Sequence, residues 1–157
     1  MAQELSTAGV TLRYAPSAAV GTTRPTSGYT TIPGIKSIPD FNPEPESLEV
    51  TDLSDTTWRR YIAGLKDPGG ALAFTANLTT PFKTAWSNLM TAYGTASSAG
   101  KAMWFEICVP NFGSFFFAGI PSELGMSAMD VNSVLEIEAY ITPNIIHGWD
   151  TSTTVSA

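Results

Sequence analysis

The sequence predicts a mainly β fold, an antiparallel β-sandwich or half-barrel with one flanking α-helix. Most segments alternate apolar and polar residues, which is typical of strands that place one face in a core. Only residues 80–94 repeat their apolar positions with helical spacing. A single helix with one apolar face needs a sheet to cover, so we expect it to lie against the strands.

The predicted helix has recognisable ends. Thr80 is a good N-cap, Pro81 suits the first helical position, and Gly94 suits the position just after the helix. Its apolar positions form one stripe, which we interpret as core packing: Phe82, Ala85, Trp86, Leu89, Met90 and Tyr93.

The alternating segments predict seven or eight strands. They lie at residues 10–14, 47–53, 72–79, 101–109, 114–120 and 134–142, with a bent strand or short hairpin at 29–38 around Pro33-Gly34. Residues 114–120 are apolar on both faces, so we expect that strand to be covered on both sides. In the last strand the core side is assigned to Leu135, Ile137, Ala139 and Ile141, opposite Glu136 and Glu138.

A chain of 157 residues is long enough to bury a core as one domain. We assign that domain to residues 1–144, with an N-terminal arm at 1–9 and long loops at 15–28 and 54–70. Residues 145–157 are rich in polar side chains and are predicted to be a C-terminal tail. We expect neither a secretory signal nor a transmembrane segment.

Charge is unevenly distributed along the chain. All eight Lys and Arg residues lie at or before Lys101, whereas six acids and no base follow it. This acidic second half argues against nucleic acid as a tightly bound ligand, because phosphate binding requires Lys and Arg.

The residues do not predict an enzyme, and we expect no cofactor and no metal. The single histidine, His147, and the single cysteine, Cys108, are too few for a typical zinc site. One cysteine also excludes an internal disulfide framework. Glu136 and Glu138 form a carboxylate pair of the kind that glycosidases use, but a solvent-facing strand is the better explanation.

Two stretches resemble the major tail proteins, or tail tube proteins, of long-tailed bacteriophages, most closely the siphophage type. The first runs from Leu48 to Asp55 and continues from Trp58 to Asp67, and the second runs from Asp130 to Asn144. The order of elements is similar as well: a long loop, a strand, a helix, and then strands that lead to a polar tail.

This resemblance implies a structural virion protein of the phage tail. Subunits of that family form stacked rings, generally hexameric, that make a hollow tube through which double-stranded DNA passes without specific binding. The implied partners are further copies of the chain, the tape measure protein, the tail terminator and baseplate proteins. The implied location is the virion tail, assembled in the host bacterial cytoplasm.

Two groups of residues are predicted to serve the tube. Alternation along their strands places four polar side chains on a face predicted to line the channel: Glu49, Thr51, Glu136 and Glu138. The loop at 54–70 is long for a compact domain, and four of its residues belong to types enriched at interfaces or adjoin them: Trp58, Arg59, Arg60 and Tyr61.

Three alternatives remain open from the sequence. One is a carbohydrate-binding or adhesin β-sandwich that uses exposed aromatic residues, namely Trp58, Tyr61, Trp104 and Trp149. Another is a type VI-like secretion tube subunit, since that fold is shared with phage tail tubes. The third is a small hydrolase that uses Glu136 and Glu138.

Overall fold

The computed structural model describes residues 8–42, 45–66 and 70–152. The predicted N-terminal arm at 1–9 therefore falls almost entirely outside the described residues. The elements, in chain order, are β1 (Thr11–Pro16), β2 (Thr30–Ile32), β3 (Ile35–Ser37), β4 (Pro45–Glu49), β5 (Tyr61–Lys66), β6 (Leu72–Asn77), α1 (Thr80–Ser98), β7 (Met103–Val109), β8 (Gly113–Pro121) and β9 (Glu136–Asp150).

Seven strands form one antiparallel sheet in the order β2-β1-β7-β8-β9-β6-β3. The two edge strands, β2 and β3, are consecutive in the chain and are separated only by Pro33 and Gly34. Since two residues span a short distance, the sheet must curl until its edges approach. The result is a nearly closed half-barrel with one helix, which confirms the predicted fold class.

Gly34 makes this closure possible. It has a positive φ of 83°, which glycine adopts without strain, and its carbonyl accepts a hydrogen bond of 3.0 Å from the N–H of Asn77 on β6. A Cβ at this position would lie 3.4 Å from the Asn77 carbonyl and 3.5 Å from Cβ of Phe82. The turn between the edges therefore packs tightly against the start of the helix.

The chain divides into two compact units. The sheet unit comprises Met1–Pro39 and Ala71–Ala157, and the hairpin unit comprises Asp40–Gly70. Strands β4 and β5 pair with each other inside the hairpin unit. The loop predicted at 54–70 is therefore wrong over Tyr61–Lys66, which is a strand. Gly64 and the Trp58-Arg59-Arg60 run disturb simple alternation in this segment, and for that reason its strand character was missed.

Helix α1 covers one face of the sheet as predicted. It contacts β1, β2, β7 and β8. Its buried residues are Phe82, Trp86 and Leu89, which belong to the predicted stripe, and Ala96, which does not. The helix begins one residue earlier than expected, since the Thr79 hydroxyl caps the N–H of Phe82. Gly94 lies inside the helix, which runs on to Ser98 and is followed by Gly100 with a φ of 72°.

The opposite face of β1, β7 and β8 is covered by the segment between β1 and β2. Tyr29 packs against Phe116, and the guanidinium of Arg24 lies 4.2 Å from the centre of the Phe116 ring. This explains why β8 is buried on both sides, as its sequence predicts. The predicted loop at 15–28 begins later than expected, because β1 extends through Pro16.

A buried ion pair lies on this second face. Arg13 on β1 and Glu106 on β7 are register partners, and their side chains meet at 2.5 Å with almost no exposure to solvent. In both strands, the residues on either side of this pair are apolar and are also buried. The two strands are therefore joined by charge as well as by backbone hydrogen bonds.

The last strand is longer than its sequence suggests. β9 continues to Asp150, so residues 145–150 of the predicted polar tail are strand. Two irregularities in the pairing with β8, near His147 and near Asn144, interrupt the alternation that would have revealed it. Leu135, predicted to face the core, precedes β9 and is 42% exposed, whereas Ile137, Ala139 and Ile141 are buried as expected.

Replacing Trp86 with Ala should lower the free energy of unfolding by about 3–5 kcal/mol, since it leaves a cavity beneath the helix. Trp86 is 1% exposed, and its indole N–H donates to the Ser122 carbonyl at 2.9 Å. Urea denaturation measures the change, with Ser87→Ala on the exposed face as the control. A Trp86→Ala protein of normal stability would show that the helix stripe does not support the sheet.

Replacing Glu106 with Gln should destabilise the protein by about 3–5 kcal/mol, because it removes the charge that balances the buried Arg13. Glu123→Gln, on an exposed loop, is the matched control. Equal urea midpoints for the two variants would mean that the Arg13–Glu106 pair is energetically neutral.

Candidate functional site

The hairpin unit exposes most of its apolar side chains. Strands β4 and β5 align Leu48 with Ile62 and Glu49 with Tyr61. The apolar residues exposed in this unit are Leu48, Val50, Leu53, Trp58, Tyr61, Ile62 and Leu65. Trp58 is 81% exposed and Leu65 is 90% exposed. An apolar surface of this kind marks an interaction site more often than ordinary solvent-facing surface.

The tip of the hairpin is held by polar contacts of its own. The Thr51 hydroxyl accepts a 2.8 Å hydrogen bond from the Arg60 N–H, and the Arg60 carbonyl accepts from the Val50 N–H at 2.9 Å. The Arg60 guanidinium pairs with Asp55 at 2.8 Å and with Asp52 at 3.2 Å. Hydrogen bonds from Ser54 lower the pKa of Asp52. These contacts order the turn that presents Trp58.

The four predicted interface residues therefore divide by role. Arg60 serves the fold of its own hairpin, and Tyr61 is the first residue of β5. Trp58 and Arg59 lie in the exposed connection between the strands. Of the four, these two are best placed to contact another molecule.

The four residues predicted to line a channel do not share one sheet. Glu49 and Thr51 belong to the hairpin unit, whereas Glu136 and Glu138 lie on β9 of the sheet unit. The expectation for Glu49 and Thr51 was that Leu48 and Val50 would be buried on the other side, but both are exposed. Thr51 follows β4, and its hydroxyl is engaged with Arg60. A channel-facing position stays a prediction for all four.

The carboxylates on β9 have partners within the sheet unit. Lys36 on β3 forms an ion pair with Glu136, and the Tyr140 hydroxyl donates to Glu138 at 2.8 Å. This hydrogen bond and the negative charge of Glu138 raise the pKa of Tyr140. The side chains of Glu136 and Glu138 line a cleft of about 590 Å³. It is lined by Thr75, Gly125, Met126, Ser127, Ala128, Val134, Glu136, Ile137, Glu138 and Tyr140.

The segment that walls this cleft carries functional candidates that the sequence did not indicate. Between β8 and β9, five apolar residues are exposed: Met126, Met129, Val131, Val134 and Leu135. They follow no helical or strand period, so pattern analysis passed over them. The available signal was five large apolar residues within ten positions, in a stretch that contains no Lys or Arg.

The charge asymmetry along the sequence is reduced by folding. Bases from the first 36 residues pair with acids from the second half in three places: Arg13 with Glu106, Arg24 with Asp150, and Lys36 with Glu136. Three of the six acidic side chains that follow Lys101 therefore have a basic partner in the folded protein.

The four aromatic residues of the carbohydrate-binding alternative do not lie on one surface. Trp104 is buried, at 3% exposure. Trp58 and Tyr61 belong to the hairpin unit, and Trp149 belongs to the sheet unit, where its ring packs edge-on against Phe112 at 5.0 Å. The assumption that all four are exposed is wrong for Trp104, because β7 is covered on both faces.

The fold is similar to that of one chain in a solved baseplate structure. The similar chain belongs to the cryo-EM structure of the anti-feeding prophage (AFP) baseplate, 6-fold symmetrised. The TM-score is 0.62 at 9% sequence identity, and the match covers 94% of this chain and 97% of the other. No protein-family model matches the sequence, and no curated protein matches it either.

At 9% identity, the similarity to the AFP baseplate chain shows a shared fold and not shared residues. Because nearly the whole of both chains is covered, the similarity includes more than a common sheet motif. In the described residues, no helix has both the length and the apolar character needed to span a membrane.

Replacing Asp150 with Asn should weaken the dependence of stability on pH in acid. A hydrogen bond with His147 and another from the Thr151 N–H, together with the charge of Arg24, lower the pKa of Asp150. The folded state therefore gains stability from this carboxylate above its unfolded pKa of about 3.9 and loses that gain as the pH falls through the folded pKa. Thermal unfolding between pH 2 and 7 measures the slope, with Asp130→Asn as the control. An unchanged acid slope would show that the contacts of Asp150 with His147, Thr151 and Arg24 do not stabilise the folded state.

Proposed function

We propose that this protein is a structural subunit of a phage-type tail that assembles, through its hairpin unit, into rings stacked as a tail tube. The observation that carries the proposal is the exposed apolar surface of β4, β5 and the turn between them. The similarity to a chain of the AFP baseplate structure, which is 6-fold symmetrised, supports it.

A two-stranded hairpin is marginally stable by itself, because it has no second layer in which to bury its side chains. Fully burying one large apolar side chain stabilises by about 1.5–3 kcal/mol. Covering the seven exposed residues of the hairpin unit would therefore contribute on the order of 10 kcal/mol. This gain offsets most of the estimated cost of association, roughly 4–15 kcal/mol, so a neighbouring copy can supply the missing layer.

Open strand edges provide a second route to assembly. In the described chain, β6 reaches only Ile141 of β9, and the remainder of β9 to Asp150 pairs with β8 alone. Unpaired edges recruit strands from other chains. In contrast, β2 and β3 are three residues long, so the ends of the sheet offer little edge.

Contacts between unlike surfaces of identical copies close into rings or continue as filaments. A hairpin on one copy that binds a different surface on the next is a contact of this type. Within the proposal, the protein belongs to the virion tail, binds further copies of itself, and allows DNA to pass without specific contacts. A ring-forming baseplate component is the second candidate, favoured by the AFP baseplate similarity. Stacked open-ended tubes favour the first candidate, and single rings favour the second.

Replacing residues 51–59 by Asn-Gly should leave a folded sheet unit that forms neither rings nor tubes. The change removes Trp58 and the polar turn, and Asn-Gly is the preferred two-residue connection for a β-hairpin. Circular dichroism reports folding, and negative-stain electron microscopy reports assembly. Val20→Ser, which removes an exposed apolar residue of the sheet unit, is the control and should assemble normally. Tubes of normal appearance from the shortened protein would contradict the role of the hairpin.

A further inference from the structure

The cleft beside β9 combines negative charge with apolar walls. Glu136 and Glu138 provide the charge, and Met126 and Val134 provide walls that are themselves largely exposed. Its volume of about 590 Å³ lies in the range of ordinary binding sites. The Tyr140 hydroxyl holds Glu138 by a 2.8 Å hydrogen bond, which fixes one carboxylate at the opening.

These features select a particular kind of occupant. Carboxylates favour a cationic group, and guanidinium suits them because its planar N–H groups match carboxylate oxygens. Methionine side chains adapt to irregular shapes and make favourable contacts with aromatic rings. The cleft is therefore complementary to an arginine that adjoins an aromatic residue.

The hairpin tip carries that combination. Trp58 is exposed and is followed directly by Arg59. The neighbouring Arg60 is already committed to Asp52 and Asp55, so the internal pairing of the tip does not depend on Arg59. Trp and Arg are also among the residue types that contribute most to binding at interfaces.

We propose that the cleft lined by Met126, Val134, Glu136 and Glu138 receives the Trp58–Arg59 tip of a second copy of this chain. The inference rests on the proposed function and names the surface that the hairpin binds. It assigns Glu136 and Glu138 to a contact between subunits and so replaces their predicted place on the channel wall. Lys36 stays paired with Glu136, which leaves Glu138 as the principal partner of Arg59.

Charge exchange tests the contact. Arg59→Glu alone and Glu138→Arg alone should each reduce assembly at least tenfold at a given concentration, because like charges then meet. An equimolar mixture of the two variants should assemble, since each then meets an opposite charge on its neighbour. Glu123→Arg, on an exposed loop outside the cleft, is the control and should assemble as the unmodified protein does.

If the unmodified protein and both single variants all assemble normally, the cleft does not bind the hairpin tip, and the proposed function is unaffected. If the mixture fails to assemble, the inference is overturned as well. An unmodified protein that forms no assembly contradicts the proposed function itself.

A cysteine cross-link tests the inference without relying on assembly. In a Cys108→Ser background, Thr57→Cys protein, which keeps Trp58 and Arg59, mixed with Val134→Cys protein should form a disulfide-linked dimer under mild oxidation, since a disulfide requires close approach of the two residues. Replacing the second partner by Val20→Cys, at an equally exposed site, should give at least tenfold less dimer. Equal yields from the two mixtures would overturn the proposal.

Discussion

The hairpin unit cannot bury its own apolar side chains, and the proposed assembly depends on that constraint. Two paired strands have two faces and no layer to cover either of them. The polar contacts of Arg60 with Asp52 and Asp55 organise the turn but cover little apolar surface. A neighbouring molecule is the simplest source of the missing layer, and the proposed assembly follows from this need.

The sheet unit is self-sufficient by comparison. Helix α1 covers one face through Trp86 and its neighbours, and the segment that includes Arg24 and Tyr29 covers the other. The buried pair of Arg13 and Glu106 adds a specific link between β1 and β7. Both faces of the sheet are covered over β1, β7 and β8, so we expect the proposed assembly surfaces to lie on loops, on strand edges and in the cleft beside β9.

Local periodicity explains what the sequence predicted well. The helix stripe, the alternating β6 and the doubly buried β8 all follow from the spacing of apolar residues. Strand β5 was missed because Gly64 interrupts its pattern and its apolar residues are exposed. The continuation of β9 was missed because pairing irregularities near Asn144 and His147 break its alternation.

The candidate site was less predictable, because it depends on contacts between distant parts of the chain. The ion pair of Lys36 with Glu136 joins residues 100 positions apart, and no local pattern reveals it. Likewise, the exposed Met126 and Val134 gain significance only because β9 lies beside them. Trp58 and Arg59 were found from residue type and loop length, which are properties of the sequence itself.

Cryo-electron microscopy of the purified, unmodified protein at micromolar concentration tests the central claim most directly. We expect rings or tubes in which Leu48, Trp58 and Leu65 are buried against a neighbouring copy. A protein that remains monomeric, or an assembly that leaves these three side chains in solvent, would contradict it.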